Sequence, residues 1–440
     1  MIDDNWLSQN RHLRLSYLER TREFEVKEKM LSDIFKIASE TSISSFEPVI
    51  IDSHEGVIQA LTEHNQIICD THFVDYATLL SAAFYSAEPL HDIKRIANAM
   101  LADSMIRSDD IEYALHFARQ YINGPIVSMF SAAAHEEYRN TVFSSRTLQA
   151  FFAIRHELAH FDFHSKTTIW EQIFAGLKEL LSVAIHDHNK VAETVNSIDL
   201  RPLQPEITII REEILPVLDG PTTPETSLRL KQTWKSISNL VSDRAEVLDS
   251  IGYSDEENRL LLFYACDNYI RNKKSAVLDE IDFVEECMCD LLALLELLDL
   301  GVNTMEKKQA HKCSIEAYTL CLLTQNMLRT ARDIQIINSK DHNEPVDNVY
   351  LRLHFESALM PEFLVIASFL WDDSSMQTDI PLLLDVFKQA KMRCELMYAE
   401  FCEYILFLTF DDIDEKYIPM SDPRWKYYYS ETERLMRFPV

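Results

Sequence analysis

The sequence predicts a mainly α protein with a small β-sheet in its N-terminal half. Three observations carry that expectation. Apolar residues recur every three to four positions through most of the 440-residue chain, the period of helices that turn one face to a core. Two short β-branched runs, Pro48-Val49-Ile50-Ile51-Asp52 and Gln66-Ile67-Ile68-Cys69-Asp70, lie between turn formers, as strands do. The chain also holds only six glycines, too few for the many tight turns of a multi-strand architecture.

Taken in order, residues 6–40 read as one or two amphipathic helices. Their mixed charges, as in Leu18-Glu19-Arg20-Thr21-Arg22, mark a solvated face. After the two strand candidates, helical periodicity returns over residues 73–86 and 90–121. Asn123-Gly124-Pro125 breaks the pattern. Ile126-Val127-Ser128-Met129-Phe130 then reads equally as a strand or as the start of the next helix. A strand there would offer an edge to an extended peptide. Ser144 and Ser145 offer an N-cap for the helix that reaches His164. Helix continues to residue 185, with proline-rich linkers at 200–205 and 219–224 and helices again from about 228. Residues 282–300 form a strong amphipathic helix, with Val284, Cys287, Met288, Leu291 and Leu295 on its core face. Residues 311–440 are helical, with a break at 338–345. The implied organisation is an N-terminal helical segment at 1–45 and a core at 46–300 interrupted by a helical insertion at about 186–280. A C-terminal helical region follows at 301–440.

Composition excludes several functions. No GxGxxG or GxxxxGK[ST] pattern occurs, so nucleotide binding by those loops is not expected. A net charge of −29 argues against nucleic acid, whose phosphates require a basic surface. The eight cysteines are scattered without a CxxC pair and read as reduced, buried thiols. The first residues contain no uninterrupted apolar core of a secretory signal. The most apolar stretch, Leu291 to Leu300, carries Glu296 and Asp299, so no membrane span is expected. A cytoplasmic protein follows from these expectations.

One motif carries a mechanism in its spacing: His156-Glu157-Leu158-Ala159-His160, a His-Glu-x-x-His pattern on an apolar helix. Residues four apart share a helix face, one turn above the other, so His156 and His160 can offer two imidazole nitrogens to one zinc ion. Glu157 lies beside them, where its carboxylate can take a proton from a water activated by the metal. The alternative is an ordinary core helix in which the two histidines pack without a metal.

A catalytic zinc takes three protein ligands and keeps one position open. The helix Glu285-Glu286-Cys287-Met288-Cys289-Asp290 offers Glu286 as the third ligand, with Asp290 one turn later to hydrogen-bond a ligating imidazole. Glu285 competes with Glu286 for the role. So does His164, although three ligands along one helix close poorly around a tetrahedral ion; it would then serve as an outer hydrogen-bonding group. His186, Asp187 and His188 have suitable chemistry but read as a solvated turn.

With these two helices the chain resembles gluzincin-type zinc metallopeptidases. Among them it is most similar to the phage-exclusion peptidase Lit and the ImmA/IrrE-type repressor-cleaving peptidases, over about thirty residues. The gap between the motifs is longer here than in compact members, and residues 301–440 have no counterpart. The resemblance implies a zincin-like core with helical extensions. It implies zinc as cofactor, held by His156, His160 and Glu286, and Glu157 as general base. The substrate would be a peptide bond in a protein partner, in phage defence or regulation. The contrasting expectations are a non-enzymatic helical interaction protein, with a structural or fortuitous motif, and a metal-dependent hydrolase of something other than peptides.

Overall fold

The computed structural model describes, with short interruptions, residues 22–107, 135–209 and 275–406, and single positions near 114–117 and 261–268. The fold is mainly helical with one small sheet in the N-terminal half. Helix α1 (Arg22–Ser39) turns Leu31, Ile34, Phe35 and Ala38 to the core, the spacing of one helical face. Three strands follow: β1 (Glu47–Ile51), β2 (Ile58–Leu61) and β3 (Gln66–Asp70). Their order is β1-β3-β2, with β1 parallel and β2 antiparallel to β3. The two strands expected from sequence are present. The strand between them, β2, is an addition, and it forms an edge.

Central β3 is buried on both faces. Ile67 and Cys69 join the main core, whereas Ile68 packs with Ile51 in a small cluster on the far side. The strand runs straight into helix α2 (Thr71–Tyr85), and Asp70 is the joint. Its Oδ1 accepts from His72 N at 3.0 Å, capping the helix, and its Oδ2 accepts from Gly56 N at 2.8 Å. Gly56 has φ of 63°, and a Cβ there would meet Leu328 Cδ1 at 3.0 Å. Gly56→Ala is therefore expected to cost about 1–2 kcal/mol from the left-handed backbone alone. A urea midpoint unchanged from wild type would contradict this.

Helix α3 (Pro89–Arg107) completes the first half. The long helix α4 (Glu136–His164) carries the His-Glu-x-x-His motif. It starts eight residues before Ser144, so Ser144 and Ser145 are not its N-cap, as the sequence suggested. Ser145 instead lies buried inside the helix, where its hydroxyl meets Ser81 Oγ at 3.0 Å and Gln149 Nε2 at 3.4 Å. Packing against α2 rewards continuation of the helix, so the capping residues are absorbed into it. The segment around Ile126 to Phe130 and the turn at Asn123-Gly124-Pro125 lie outside the described residues.

Helix α5 (Thr168–Ser197) runs without interruption through residues 186–188. The expected solvated turn at His186-Asp187-His188 is therefore helix, and His188 sits 5.6 Å from the Phe355 ring in a T-shaped contact. Helices α6 (Glu280–Val302), α7 (Lys307–Asn338), α8 (Val349–Leu370) and α9 (Ser374–Leu406) complete the described fold. Asp279 caps α6 by accepting from the backbone of Ile281 and Asp282 at 3.0 and 3.2 Å.

Helix α4 sits centrally, touching α1, α2, α6, α7 and β2. Helix α7 extends the core to α8 and α9, and α9 returns to α3. One buried apolar cluster runs from Leu31 to Ile405, so the C-terminal helices share the core that holds the motif helix. Among the described residues, Leu351–Leu370 alone has the length and composition to cross a membrane, and half of it is buried inside the protein. The cysteines are free, and six of the eight are buried.

Candidate metal centre

The site lies where α4 crosses α6, beneath the outer edge of β2. Apolar packing sets the distance between the helices: Phe152, Leu158 and Ala159 on α4 and Cys287, Leu291 and Leu294 on α6 are fully buried. Beside them Arg155 fixes the register. It is 1% exposed and grips Glu296 of α6 with Nε and Nη2 at 2.5 and 2.6 Å. Its Nη2 also reaches Asp162 Oδ2 at 2.6 Å, and Asp162 in turn accepts from Ser42 Oγ at 3.0 Å. Burial alone would lower the Arg155 pKa, but Glu296 and Asp162 outweigh it and raise it. Charge-assisted forks of this kind are geometrically strict.

That register brings three ligand atoms together. His156 Nε2 and His160 Nε2 are 3.3 Å apart. Glu286 Oε2 lies 3.4 Å from His156 Nε2, and its Oε1 lies 3.4 Å from His160 Nε2. A tetrahedral ion with bonds of about 2.0–2.1 Å places its ligand atoms roughly 3.3–3.4 Å from one another. Each Glu286 oxygen is thus at that spacing from one imidazole nitrogen. With one ligand atom taken from each residue, His156, His160 and Glu286 lie within 4.8 Å of one another, the only such group among the described residues.

Each imidazole is held through its other nitrogen. His156 Nδ1 is 2.7 Å from Asp290 Oδ1, and His160 Nδ1 is 2.9 Å from Glu285 Oε1. A carboxylate on Nδ1 fixes the tautomer that presents Nε2 to a metal. Glu285, a rival third ligand in the sequence, therefore sits behind His160 instead of beside the ion position. Asp290 occupies the supporting place expected of it. His164 is the last residue of α4, and its side chain lies outside the described residues.

Glu157 is partly exposed, and its Oε2 accepts from Ala60 N of β2 at 2.7 Å. Ala60 pairs with Ile67, whereas Val57 O accepts from Asp70 N at 2.9 Å. In an antiparallel pair such groups alternate sides, so the Ala60 N–H points outward from the sheet. Burial raises the Glu157 pKa, while His156, His160 and the Ala60 N–H oppose the rise.

Two residues that the sequence did not single out complete the site. Arg352, in the first turn of α8, donates through Nη1 to Glu286 Oε2 and lies 3.4 Å from Asp290 Oδ2 through Nε. Glu356, one turn further on and fully buried, accepts from the Tyr318 hydroxyl. Burial and the Asp290 charge push Glu356 well above the ordinary carboxylate range. Burial would raise Asp290 too, but Arg352 and His156 hold it down. Burial would also raise Glu286, but Arg352 and His156 hold it below its ordinary value. The only sequence signal for Arg352 is a positive charge in the first turn of a largely apolar helix.

The charges predict a pH dependence. Burial alone would lower the His156 pKa, yet Asp290 and Glu286 push it up to about 10. Without metal, this imidazolium stabilises the fold fully below the unfolded histidine pKa of about 6.5, and the contribution is lost as pH rises towards 10. A metal takes the neutral ring, so binding must release its proton. Zinc affinity should rise about tenfold per pH unit between pH 7 and 9. Titration calorimetry in buffers of different ionisation enthalpy would detect the released proton, and an affinity flat over this range would contradict the assignment.

Comparison with protein-family models, with curated proteins and with solved structures finds no match for this chain.

Proposed function

We propose that the protein is a cytosolic zinc-dependent endopeptidase acting on a protein partner. The observation that carries this reading is the convergence of His156, His160 and Glu286, whose candidate ligand atoms lie within 4.8 Å of one another, with each imidazole backed by its own carboxylate. Four carboxylates, Glu157, Glu285, Glu286 and Asp290, gather around these rings and Arg352, an excess of negative charge that a divalent cation offsets. The two-imidazole, one-carboxylate donor set suits zinc.

A bound zinc ion supplies Lewis acidity, polarising a carbonyl and bringing the pKa of a water towards neutrality. The protein's own residues do the rest. His156, His160 and Glu286 hold the ion, and Asp290 and Glu285 keep the rings aimed. Glu157 takes the proton of the attacking water and returns it to the leaving amine. The outer edge of β2 runs alongside Glu157 and can align an extended peptide by main-chain hydrogen bonds.

The test is metal content per chain, by elemental analysis of protein purified without added metal. About one zinc is expected in wild type and in Glu285→Gln, whose side chain still bonds His160. Loss of zinc is expected in His156→Ala and in Glu286→Ala. Well-folded wild type that takes up no zinc would sink the reading. It would favour a helical interaction protein in which the Arg352–Glu286 pair makes a metal-free ion cluster.

A further inference from the structure

Arg352 stands apart from the other groups around the ion position because its positive charge is permanent, whereas the His156 ring must lose its proton to bind a metal. It comes from α8, whereas the candidate ligands come from α4 and α6. The residue is 3% exposed, and its guanidinium reaches Glu286, Asp290 and Gln325. Nη1 donates to Glu286 Oε2, Nε lies 3.4 Å from Asp290 Oδ2, and Nη2 donates to Gln325 Oε1 at 3.4 Å. It therefore touches one candidate ligand directly and another, His156, through Asp290.

We propose that Arg352 is a resident counter-cation, which keeps the site formed when no metal is bound and competes with the metal for Glu286. This rests on the zinc reading above and adds its regulation. The half-buried Glu286 and the fully buried Asp290, one turn apart on α6, would repel each other if left alone, and a buried anion without a partner is strongly destabilising. Arg352 pairs with both, so the chain reaches its fold before metal arrives. The same fixed charge repels a divalent ion. Even at the dielectric of water, a unit charge beside such an ion weakens binding by about tenfold or more. Metal occupancy is then reversible and separate from folding, and activity follows metal supply.

Removing Arg352 sets two effects against each other. Loss of an orienting group beside a ligand weakens metal binding, by about 10–100-fold in typical cases. Loss of the repulsion tightens it, and that effect grows as the local dielectric falls. Asp290 keeps its 2.7 Å contact with His156 when Arg352 is gone, so the charge effect wins here.

The experiment uses the full chain stripped of metal by chelator, at pH 8, with zinc alone as probe. Thermal melting is followed with and without zinc, and affinity is read by competition with a chromophoric chelator. Metal-free Arg352→Met should melt lower than wild type, by on the order of 5 °C. Zinc should raise its melting temperature more than that of wild type, and its affinity should be about tenfold tighter. An unchanged metal-free melting temperature, or zinc affinity weaker than wild type, overturns the proposal. If Arg352→Met does not fold without metal, Arg352→Lys decides. That variant keeps the charge and should retain the wild-type affinity, whereas tightening in it would show that charge is not the cause. Wild type that binds no zinc would sink the zinc reading and the competition with it. Low melting of metal-free Arg352→Met would still separate the stabilising role of Arg352 from both.

Discussion

Glu157→Gln is expected to retain about one zinc per chain while losing roughly 10²–10⁴-fold in peptide hydrolysis, the usual contribution of a general base. The side chain lies outside the His156, His160 and Glu286 triangle, so the ligands are untouched. Glutamine keeps the shape and its oxygen can still accept from Ala60 N–H, but it cannot take a proton. Burial already works against charge on Glu157, so the variant should be at least as stable as wild type. Hydrolysis of an unfolded protein substrate such as casein, measured beside zinc content, separates the outcomes. Turnover within tenfold of wild type would remove Glu157 from the mechanism. Zinc without hydrolysis in the wild type itself would point to a substrate other than casein or to a non-peptide hydrolase.

Arg155→Leu is expected to cost about 3–5 kcal/mol, because it removes the guanidinium from the buried Asp162 and the partly buried Glu296. That is a large part of the 5–15 kcal/mol that typically holds a domain together. The loss should extend to the metal. Arg155 adjoins His156 and ties α4 to the helix that carries Glu286 and Asp290, so the variant that remains folded should bind zinc more weakly. A guanidinium chloride midpoint corresponding to less than about 1 kcal/mol of destabilisation would mean that apolar packing alone sets the helix register.

The nearness of His156 to His160, and of Glu286 to Asp290, was legible in the sequence because helical spacing is strict, while the meeting of the two pairs was implied only by the need for a third metal ligand. Residues four apart share a face whatever the rest of the chain does. The division of labour between Glu285 and Glu286 was not. Neighbouring helix residues point about 100° apart, and which of them meets the ion depends on how α6 is rotated against α4. Apolar packing and the Arg155–Glu296 grip decide that rotation. Arg352 was illegible for a different reason: it is 66 residues from Glu286, and no local pattern links them. Strand β2 is four residues long and owes its form to pairing with β3, so its own sequence barely announces it. Ser144 and Ser145 show the opposite error. Their local preference for a cap was sound, and burial against Ser81 overrode it.

The Ala60 N–H has a single proton to share, and in this structure Glu157 receives it. A peptide strand annealing to the outer edge of β2 would ask for the same proton. Docking of the chain to be cut and release of the carboxylate that helps cut it would then be one exchange of partners. Such a protein would carry its own safeguard against idle chemistry, since the base is tethered until something extended takes its place.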